Sequence, residues 1–128
     1  MPTVADYTVL RDGSIELSQG ESFRTPPFFA PEGFVKGTDK AKAIFSFMFQ
    51  ALPDPPFAPS VNFTITQSSA PPIEIARYTN HSAKTPVGVW ETFRADRIGG
   101  VVGTTFDINI ERGRARFADI ILWYQIRI

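Results

Sequence analysis

The stretch Lys40–Leu52 reads KAKAIFSFMFQAL, and it decides the fold class of this chain. Phenylalanine or alanine occupies every second position from residue 43 to residue 51. A period of two is typical of a β-strand, although the first residues of the stretch are also compatible with the start of a helix. The stretch therefore predicts a central strand whose phenylalanine side faces the core. No window of the sequence keeps an apolar stripe of helical period over three turns.

The same alternation recurs in shorter segments along the 128 residues, which predicts about seven to nine strands. The inward positions of these strands share one phase and define the expected core. The strands are expected at 14–17, 21–25, 40–52, 61–66, 73–76, 89–94, 105–111 and 114–128. The expected core residues are Phe45, Phe47, Phe63, Ile65, Phe106, Ile108 and Leu122.

Strand-breaking residues separate these segments, since the chain contains 11 prolines and 9 glycines. Tight turns are expected at Arg11–Ser14 and Ser18–Glu21, because glycine accepts a positive φ. Glu111–Arg114 predicts a hairpin turn between the last two strands. Pro53–Pro59 predicts a stiff loop, and Gly99–Gly103 a flexible connection. Together these features predict one all-β domain over residues 1–128, an antiparallel β-sandwich with jelly-roll or Greek-key wiring.

The second half of the chain carries a recurrent pattern. A tryptophan-containing strand, VWETF at 89–93, is followed by a glycine-rich loop, then by TFDINI at 105–110 and FADIILWY at 117–124. This order resembles the galactose-binding-like jelly rolls, the fold of many carbohydrate-binding modules. The resemblance covers roughly the last two thirds of the chain. It implies a sugar-binding sandwich and allows a structural calcium ion, but Asp12, Asp39 and Asp119 are isolated carboxylates and not a cluster.

Composition excludes several function classes. The 13 basic and 13 acidic residues give a formal net charge of zero, so neither nucleic acid nor an anionic membrane is an expected partner. The chain has no cysteine and one histidine, which excludes disulfides, thiolate zinc sites and histidine-rich metal sites. No apolar run reaches the roughly 20 residues of a membrane span, so a soluble protein is expected.

The first ten residues, MPTVADYTVL, contain an aspartate and no basic residue. They lack the charged region and the apolar stretch of a secretory signal. The sequence therefore predicts a protein that is cytoplasmic, or that is released without a signal peptide.

Catalytic motifs are missing from the sequence. There is no nucleophile elbow, phosphate-binding loop, dinucleotide fingerprint or His-Glu-x-x-His motif. The strand carboxylates Glu74, Glu91, Asp107 and Glu111 sit at alternate positions that are expected to face water. No catalytic residue is predicted, and an enzyme with a motif-free active site stays open as the third hypothesis.

The candidate ligand site is the segment Arg77–Pro86 (RYTNHSAKTP), interpreted as a polar loop, together with Trp90. A sugar is bound by an aromatic ring under its apolar face and by planar polar side chains that reach its hydroxyls. The plainer alternatives are a core Trp90, a solvent-exposed His81 and a loop that is merely polar. If the site is real, this loop and Trp90 lie together at one end or edge of the sandwich. The predicted ligand residues are Arg77, Tyr78, Asn80, His81, Lys84, Trp90 and Arg94.

Other aromatic residues bear on assembly. Phe28-Phe29 and Phe57 lie in proline-bounded loops, where rings either plug the ends of the sandwich or form an exposed patch. Trp123 and Tyr124 are adjacent, so one is expected in the core and the other on the outer face. If the closing strand is a sheet edge, its apolar residues Ile121, Trp123 and Ile128 need a cover, and zero net charge favours association. These points predict a homo-oligomer.

The first functional hypothesis is therefore a lectin-like module that binds carbohydrate, or a small ligand, without transforming it. The second is a structural or assembly subunit whose ligand is another protein chain.

Overall fold

The computed structural model describes residues 3–35, 41–53, 60–68, 72–98 and 103–127. Within these ranges the chain forms eight β-strands and one short 3-10 helix, Ala95–Ile98. No described helix is long and apolar enough to cross a membrane. The strands are β1 (Thr3–Ser18), β2 (Ser22–Arg24), β3 (Lys42–Leu52), β4 (Val61–Ser68), β5 (Ile73–His81), β6 (Val87–Arg94), β7 (Thr105–Arg112) and β8 (Arg114–Arg127).

The strands form two four-stranded antiparallel sheets. The first sheet has the order β1-β8-β3-β6, and the second has the order β2-β7-β4-β5. Successive strands change sheet at every connection except the one from β4 to β5. This is the strand order of a jelly roll, so the predicted all-β sandwich and its wiring are confirmed.

The core lies between the sheets, and the strand phases predicted it correctly. All seven expected core residues are at most 2% exposed. The phenylalanine side of β3 packs across the sandwich: the ring centroids of Phe49 and Phe63 are 5.1 Å apart, and those of Phe47 and Phe63 are 6.1 Å apart. The inward positions are therefore filled by packed aromatic rings, and the outward positions do not contribute to the core.

The predicted tight turn at Arg11–Ser14 is wrong. β1 runs through this segment and stays paired with β8, from Thr3 opposite Arg127 to Ser18 opposite Arg114. The pairing shifts register between Val9 and Ser14, so the extra residues form a bulge and not a reversal. The second expected turn is present, since the Glu21 N–H donates to the Ser18 carbonyl at 2.9 Å.

The predicted hairpin at Glu111–Arg114 is also wrong, because β7 and β8 belong to different sheets. The turn carries the chain from one sheet to the other at Gly113, whose φ is +86°. A Cβ atom at this position would lie 2.3 Å from the carbonyl oxygen of Ser60. Glycine is required here by both conformation and space.

The closing strand β8 lies between β1 and β3, so it is not a sheet edge. The edge-based reason for predicting a homo-oligomer therefore does not apply to it. Four predicted features fall partly or wholly outside the described residues: Asp39, the loop at 54–59 with Phe57, the connection at 99–102, and Ile128.

Candidate functional site: an aromatic sheet face

The outward side of the first sheet carries large apolar side chains where a solvated face ordinarily carries polar ones. We call this surface the aromatic face. It follows from strand alternation: with the inward positions of β1, β3, β6 and β8 used by the core, the residues between them point outward. The face is built from Tyr7 on β1, Ile121 and Trp123 on β8, Ile44, Ser46 and Met48 on β3, and Trp90 on β6.

Three rings form a row across this face. Tyr7 lies opposite Trp123 in the β1–β8 register, and their ring centroids are 5.2 Å apart. The indoles of Trp123 and Trp90 are 6.0 Å apart and tilted by 33°. Tyr7 is 55% exposed and Trp90 is 61% exposed, so the row presents open ring surface to solvent.

Ser46 leaves space for the indoles of Trp123 and Trp90 to approach each other. It sits on β3, between the strands of Trp123 and Trp90, and its short side chain leaves space above the sheet. The Trp123 Nε1–H donates to the Ser46 Oγ at 2.9 Å. This bond fixes the indole of Trp123, so the central ring of the row is held in place before any ligand arrives.

Two depressions flank the tryptophan pair. The smaller has a volume of about 180 Å³, and the residues that line it include Ser46, Gly88 and Asp119. The larger has a volume of about 510 Å³, and it is lined by Ala5, Lys42, Ile44, Tyr124 and Gln125. Trp90 and Trp123 line both depressions. The pair therefore forms a ridge with polar groups within reach on either side.

The outward side of the second sheet is different in kind. Arg24 pairs with Asp107 at 2.8 Å, and Asn109 donates to Thr66. Burial works to raise the pKa of Asp107, but hydrogen bonds from Arg24 and Ser68 outweigh it and hold that pKa below its ordinary value. These polar groups satisfy one another, which is typical of a solvated face.

The predicted ligand loop is only partly a loop. Arg77–His81 belongs to strand β5, so the polar-loop interpretation of these five residues is wrong, and the connection to β6 is 82–86. Arg77 is on the outward side of the second sheet, paired with Glu74 at 2.8 Å and Glu111 at 2.7 Å. The hydrogen bond and charge of Glu111 raise the pKa of Arg77 above its usual range.

The two other polar residues of the predicted loop are engaged through their backbone. Asn80 has a φ of +54°, and its N–H donates to the Asn62 Oδ1 at 2.6 Å. The Lys84 carbonyl accepts a hydrogen bond from the Gln50 Nε2 at 2.9 Å, while its side chain is exposed.

Tyr78 and His81 point between the sheets. The Tyr78 ring stacks on Phe63 with centroids 4.6 Å apart, and the His81 ring lies 4.5 Å from that of Phe49. The interpretation of His81 as a residue in solvent is therefore wrong. Its apolar and aromatic neighbours account for the position of the imidazole.

The Tyr78 hydroxyl donates to the Glu91 Oε1 at 2.5 Å. These residues lie on β5 and β6, the edge strands of the two sheets, so the bond ties the sheets together along one open side of the sandwich. Glu91 is half-buried in this contact, which corrects the expectation that its carboxylate faces water. Burial, aided by the bond to Glu91, raises the pKa of Tyr78 above its ordinary range.

Trp90 is the one predicted ligand residue that belongs to the aromatic face. The alternative that placed Trp90 in the core is wrong. Trp90 lies on the outer face of the first sheet, whereas Arg77 lies on the outer face of the second sheet. Arg94, further along β6, is exposed and pairs with Asp96 at 2.5 Å. The seven predicted residues thus lie on β5, on β6 and in the connection between them, but their side chains point to different faces and do not converge on one site.

Sequence reasoning predicted one further member of the face and missed another. Of the adjacent pair Trp123 and Tyr124, Tyr124 is in the core and Trp123 is on the outer face, as expected. Tyr7 was missed because the front of the chain was not predicted to be a strand. The alternation of Ala5, Tyr7 and Val9 with Asp6 and Thr8 is the pattern that identifies it.

Phe28 and Phe29, the two rings of the proline-bounded loop, differ in burial. Phe28 is 3% exposed and packs 5.1 Å from the ring of Tyr124, so it plugs one end of the core. Phe29 is 62% exposed.

The calcium ion that the family resemblance allows finds no matching ligand set among the described residues. They contain no group of three or more acidic, histidine or cysteine side chains that could hold a metal. Asp12 is exposed, and the Asp119 Oδ1 accepts a hydrogen bond from the Gly13 N–H at 3.2 Å. Two such carboxylates fall short of the six to eight oxygen ligands that calcium takes.

Comparison with known proteins shows similarity in the arrangement of the strands. The sequence matches no protein-family model and no curated protein. Among solved structures, the chain is similar to a CBM4 structure, with a TM-score of 0.47, 14% identity, and coverage of 94% of this chain and 92% of the other. It is also similar to the CBM22-1 xylan-binding domain of Xyn10C from Paenibacillus barcinonensis, with a TM-score of 0.47, 11% identity, and coverage of 95% and 86%. The jelly-roll resemblance expected from the sequence is confirmed, and the strand order of the two sheets carries that conclusion.

Proposed function

We propose that this chain is a non-catalytic carbohydrate-binding domain that holds a polysaccharide on the aromatic face. The observation that carries the proposal is the exposed row of Tyr7, Trp123 and Trp90, with polar groups in the depressions beside it. This is the combination of flat apolar platform and nearby hydrogen-bonding groups that sugars require.

The energetics favour such a ligand. A pyranose has one face of C–H groups, and stacking it on an indole removes apolar area from water at about 25 cal/mol per Å². Tryptophan and tyrosine lose little conformational entropy on binding, and the bond from Trp123 to Ser46 reduces that loss further. The hydroxyls around the sugar rim then pair with groups such as Asp119 and Gln125.

The layout favours a ligand of several sugar units over a single one. Three rings cross the strands of β1, β8 and β6, and depressions lie on both sides of the tryptophan ridge. The polar side chains of the face are spread along it, with Lys42 in one depression and Asp119 in the other. They do not form a convergent acid and base, which is why we propose binding without chemistry.

A panel of purified polysaccharides, neutral and acidic, tests the proposal by affinity electrophoresis and by quenching of tryptophan fluorescence. We expect binding to at least one polymer, and we expect Trp90→Ala to weaken it by about tenfold or more, the loss of one stacking ring. Phe29→Ala is the matched control, since it removes an equally exposed ring that is not part of the aromatic face. Absence of binding across the panel, or equal binding by wild type and Trp90→Ala, would contradict the proposal.

A second candidate, an assembly subunit, is favoured by the exposed apolar side chains of the edge strand β1. Val9 and Tyr7 are each about half exposed there, and contiguous apolar surface marks sites of protein contact. Light scattering separates the two candidates. A discrete oligomer that dissociates on Tyr7→Ser and Val9→Ser substitution, with no polysaccharide binding, would support assembly. A monomer that binds polysaccharide would support the first candidate.

A further inference from the structure

We infer that the larger depression of the aromatic face is a subsite for an anionic sugar unit, so that the ligand is an acidic polysaccharide. This inference rests on the proposed function, and it names the substrate class. Its key residue is Lys42, which lines the depression together with Trp90, Trp123 and Gln125. The anionic group is a carboxylate or a sulfate ester, since the ammonium of lysine is a point charge that recognises either.

Lys42 is a cation without a partner in the described part of the chain. No carboxylate there lies within ion-pair distance of its Nζ, and the residues that line the depression include no acidic side chain. Its cross-strand neighbour is Arg94, which pairs with Asp96. A ligand anion therefore meets a charge that no carboxylate of the described chain offsets.

Two basic residues at the opposite end of this sheet, Arg114 and Arg116, contrast with Lys42. Arg114 and Arg116, at the far end of β8, both bind the carboxylate of Glu16. Their hydrogen bonds, that from Arg116 foremost, lower the pKa of Glu16, so the carboxylate stays ionised and its pairing with the two arginines persists. Both arginines are thus engaged by a carboxylate, although it offsets only one of their two charges, whereas Lys42 has no acidic partner among the described residues.

Neighbouring groups at the Lys42 end suit a charged sugar. The Gln125 side chain makes no hydrogen bond to the described residues, so its amide is free to pair with a hydroxyl or an anionic oxygen. Arg127 is two residues further along β8, on the same side of the strand as Gln125. Trp90 and Trp123 supply the platform on which the ring of the sugar stacks.

The two depressions of the aromatic face differ in the charge of the residues that line them. The smaller is lined by the acidic residue Asp119 and by no basic residue of the described chain. A carboxylate accepts hydrogen bonds from sugar hydroxyls and repels an anionic substituent. The charged unit is therefore expected over Lys42, and a neutral or hydroxyl-rich unit over Asp119.

The experiment compares wild type with Lys42→Met on matched polymers: polygalacturonate and its methyl ester, alginate, a sulfated galactan and its desulfated form, and neutral xylan. We expect wild type to prefer an acidic polymer over its uncharged counterpart. We expect Lys42→Met to lose about tenfold in affinity for that polymer, the loss of one charge-assisted contact. The carboxylated and sulfated arms identify which anion is recognised.

The control is Arg24→Met, which removes an exposed cation from the outward side of the second sheet, away from the aromatic face. It is expected to leave affinity unchanged. Affinity of wild type for the acidic polymer is also expected to fall as salt is raised, because the contact is exposed to solvent.

Failure of this inference is distinguishable from failure of the proposed function. Equal affinity for the charged and uncharged forms, or an unchanged affinity in Lys42→Met, overturns the anionic subsite even where Trp90→Ala abolishes binding. Binding to neutral polymers alone overturns it as well. The proposed function itself fails if no polymer binds, or if Trp90→Ala has no effect on any polymer that binds.

Discussion

Replacing Phe47 by alanine tests the register on which the two faces of the first sheet depend. Phe47 is 2% exposed, and its ring lies 5.8 Å from Phe45, 6.1 Å from Phe63 and 5.6 Å from Phe117. These neighbours belong to β3 itself, to β4 of the second sheet and to β8. The substitution therefore opens a cavity in the middle of the sandwich.

The magnitude follows from that environment. Burying a phenylalanine side chain is worth about 1.5–3 kcal/mol, and the cavity adds to the loss because a rigid β core collapses only partly. The expected decrease in the free energy of unfolding is about 3–5 kcal/mol. Urea denaturation followed by circular dichroism measures it.

Phe29→Ala is the control, because this ring is exposed and its loss is expected to cost about 0.5 kcal/mol or less. A decrease below about 1 kcal/mol for Phe47→Ala would show that the ring is not in the core. The outward assignment of Ser46 and Met48, and the aromatic face with it, would then be refuted.

Two further predictions concern backbone and pH. Gly113→Ala is expected to cost several times more stability than Gly20→Ala in thermal unfolding. Both glycines have a positive φ, but only at Gly113 would a Cβ atom meet backbone atoms, those of Ser60. Equal costs would contradict this close approach. Because the folded-state pKa of Tyr78 is raised, its contribution to stability is complete below about pH 10 and is lost as the pH rises further. The alkaline decline in unfolding free energy is therefore expected to be shallower in Tyr78→Phe than in wild type, and identical declines would show that the bond to Glu91 does not hold Tyr78 in its neutral form.

The sequence predicts the core of this fold well because the core depends on a local pattern. Alternation in β3 places Phe45, Phe47 and Phe49 on one side, and no long-range information is needed to infer that they are buried. The same reasoning separates Trp123 from Tyr124. Period two also assigns Trp90 to the side opposite Val89 and Glu91, but it does not say which of these sides meets the other sheet.

What the sequence could not show depends on pairing between distant segments. Glu111–Arg114 carries the glycine of a hairpin turn, yet β7 and β8 pair with strands of different sheets, and only the complete strand order reveals this. Tyr7 becomes part of a site only through its register opposite Trp123, 116 positions away. Arg77 and Trp90 are 13 positions apart and were expected together, but the chain changes sheet between them.

The central claim is that sugar binds on the aromatic face, and the two tryptophans of the chain make it directly measurable. In a two-dimensional ¹H–¹⁵N NMR titration with a polysaccharide fragment that binds, each indole N–H gives a separate signal, assigned by Trp90→Phe and Trp123→Phe. We expect both indole signals to shift with saturation, together with the backbone amide of Ser46, while the amides of Arg77, Asn80 and His81 stay in place. Stationary indole signals with shifts confined to β5 would contradict the claim and place the ligand on the other side of the sandwich.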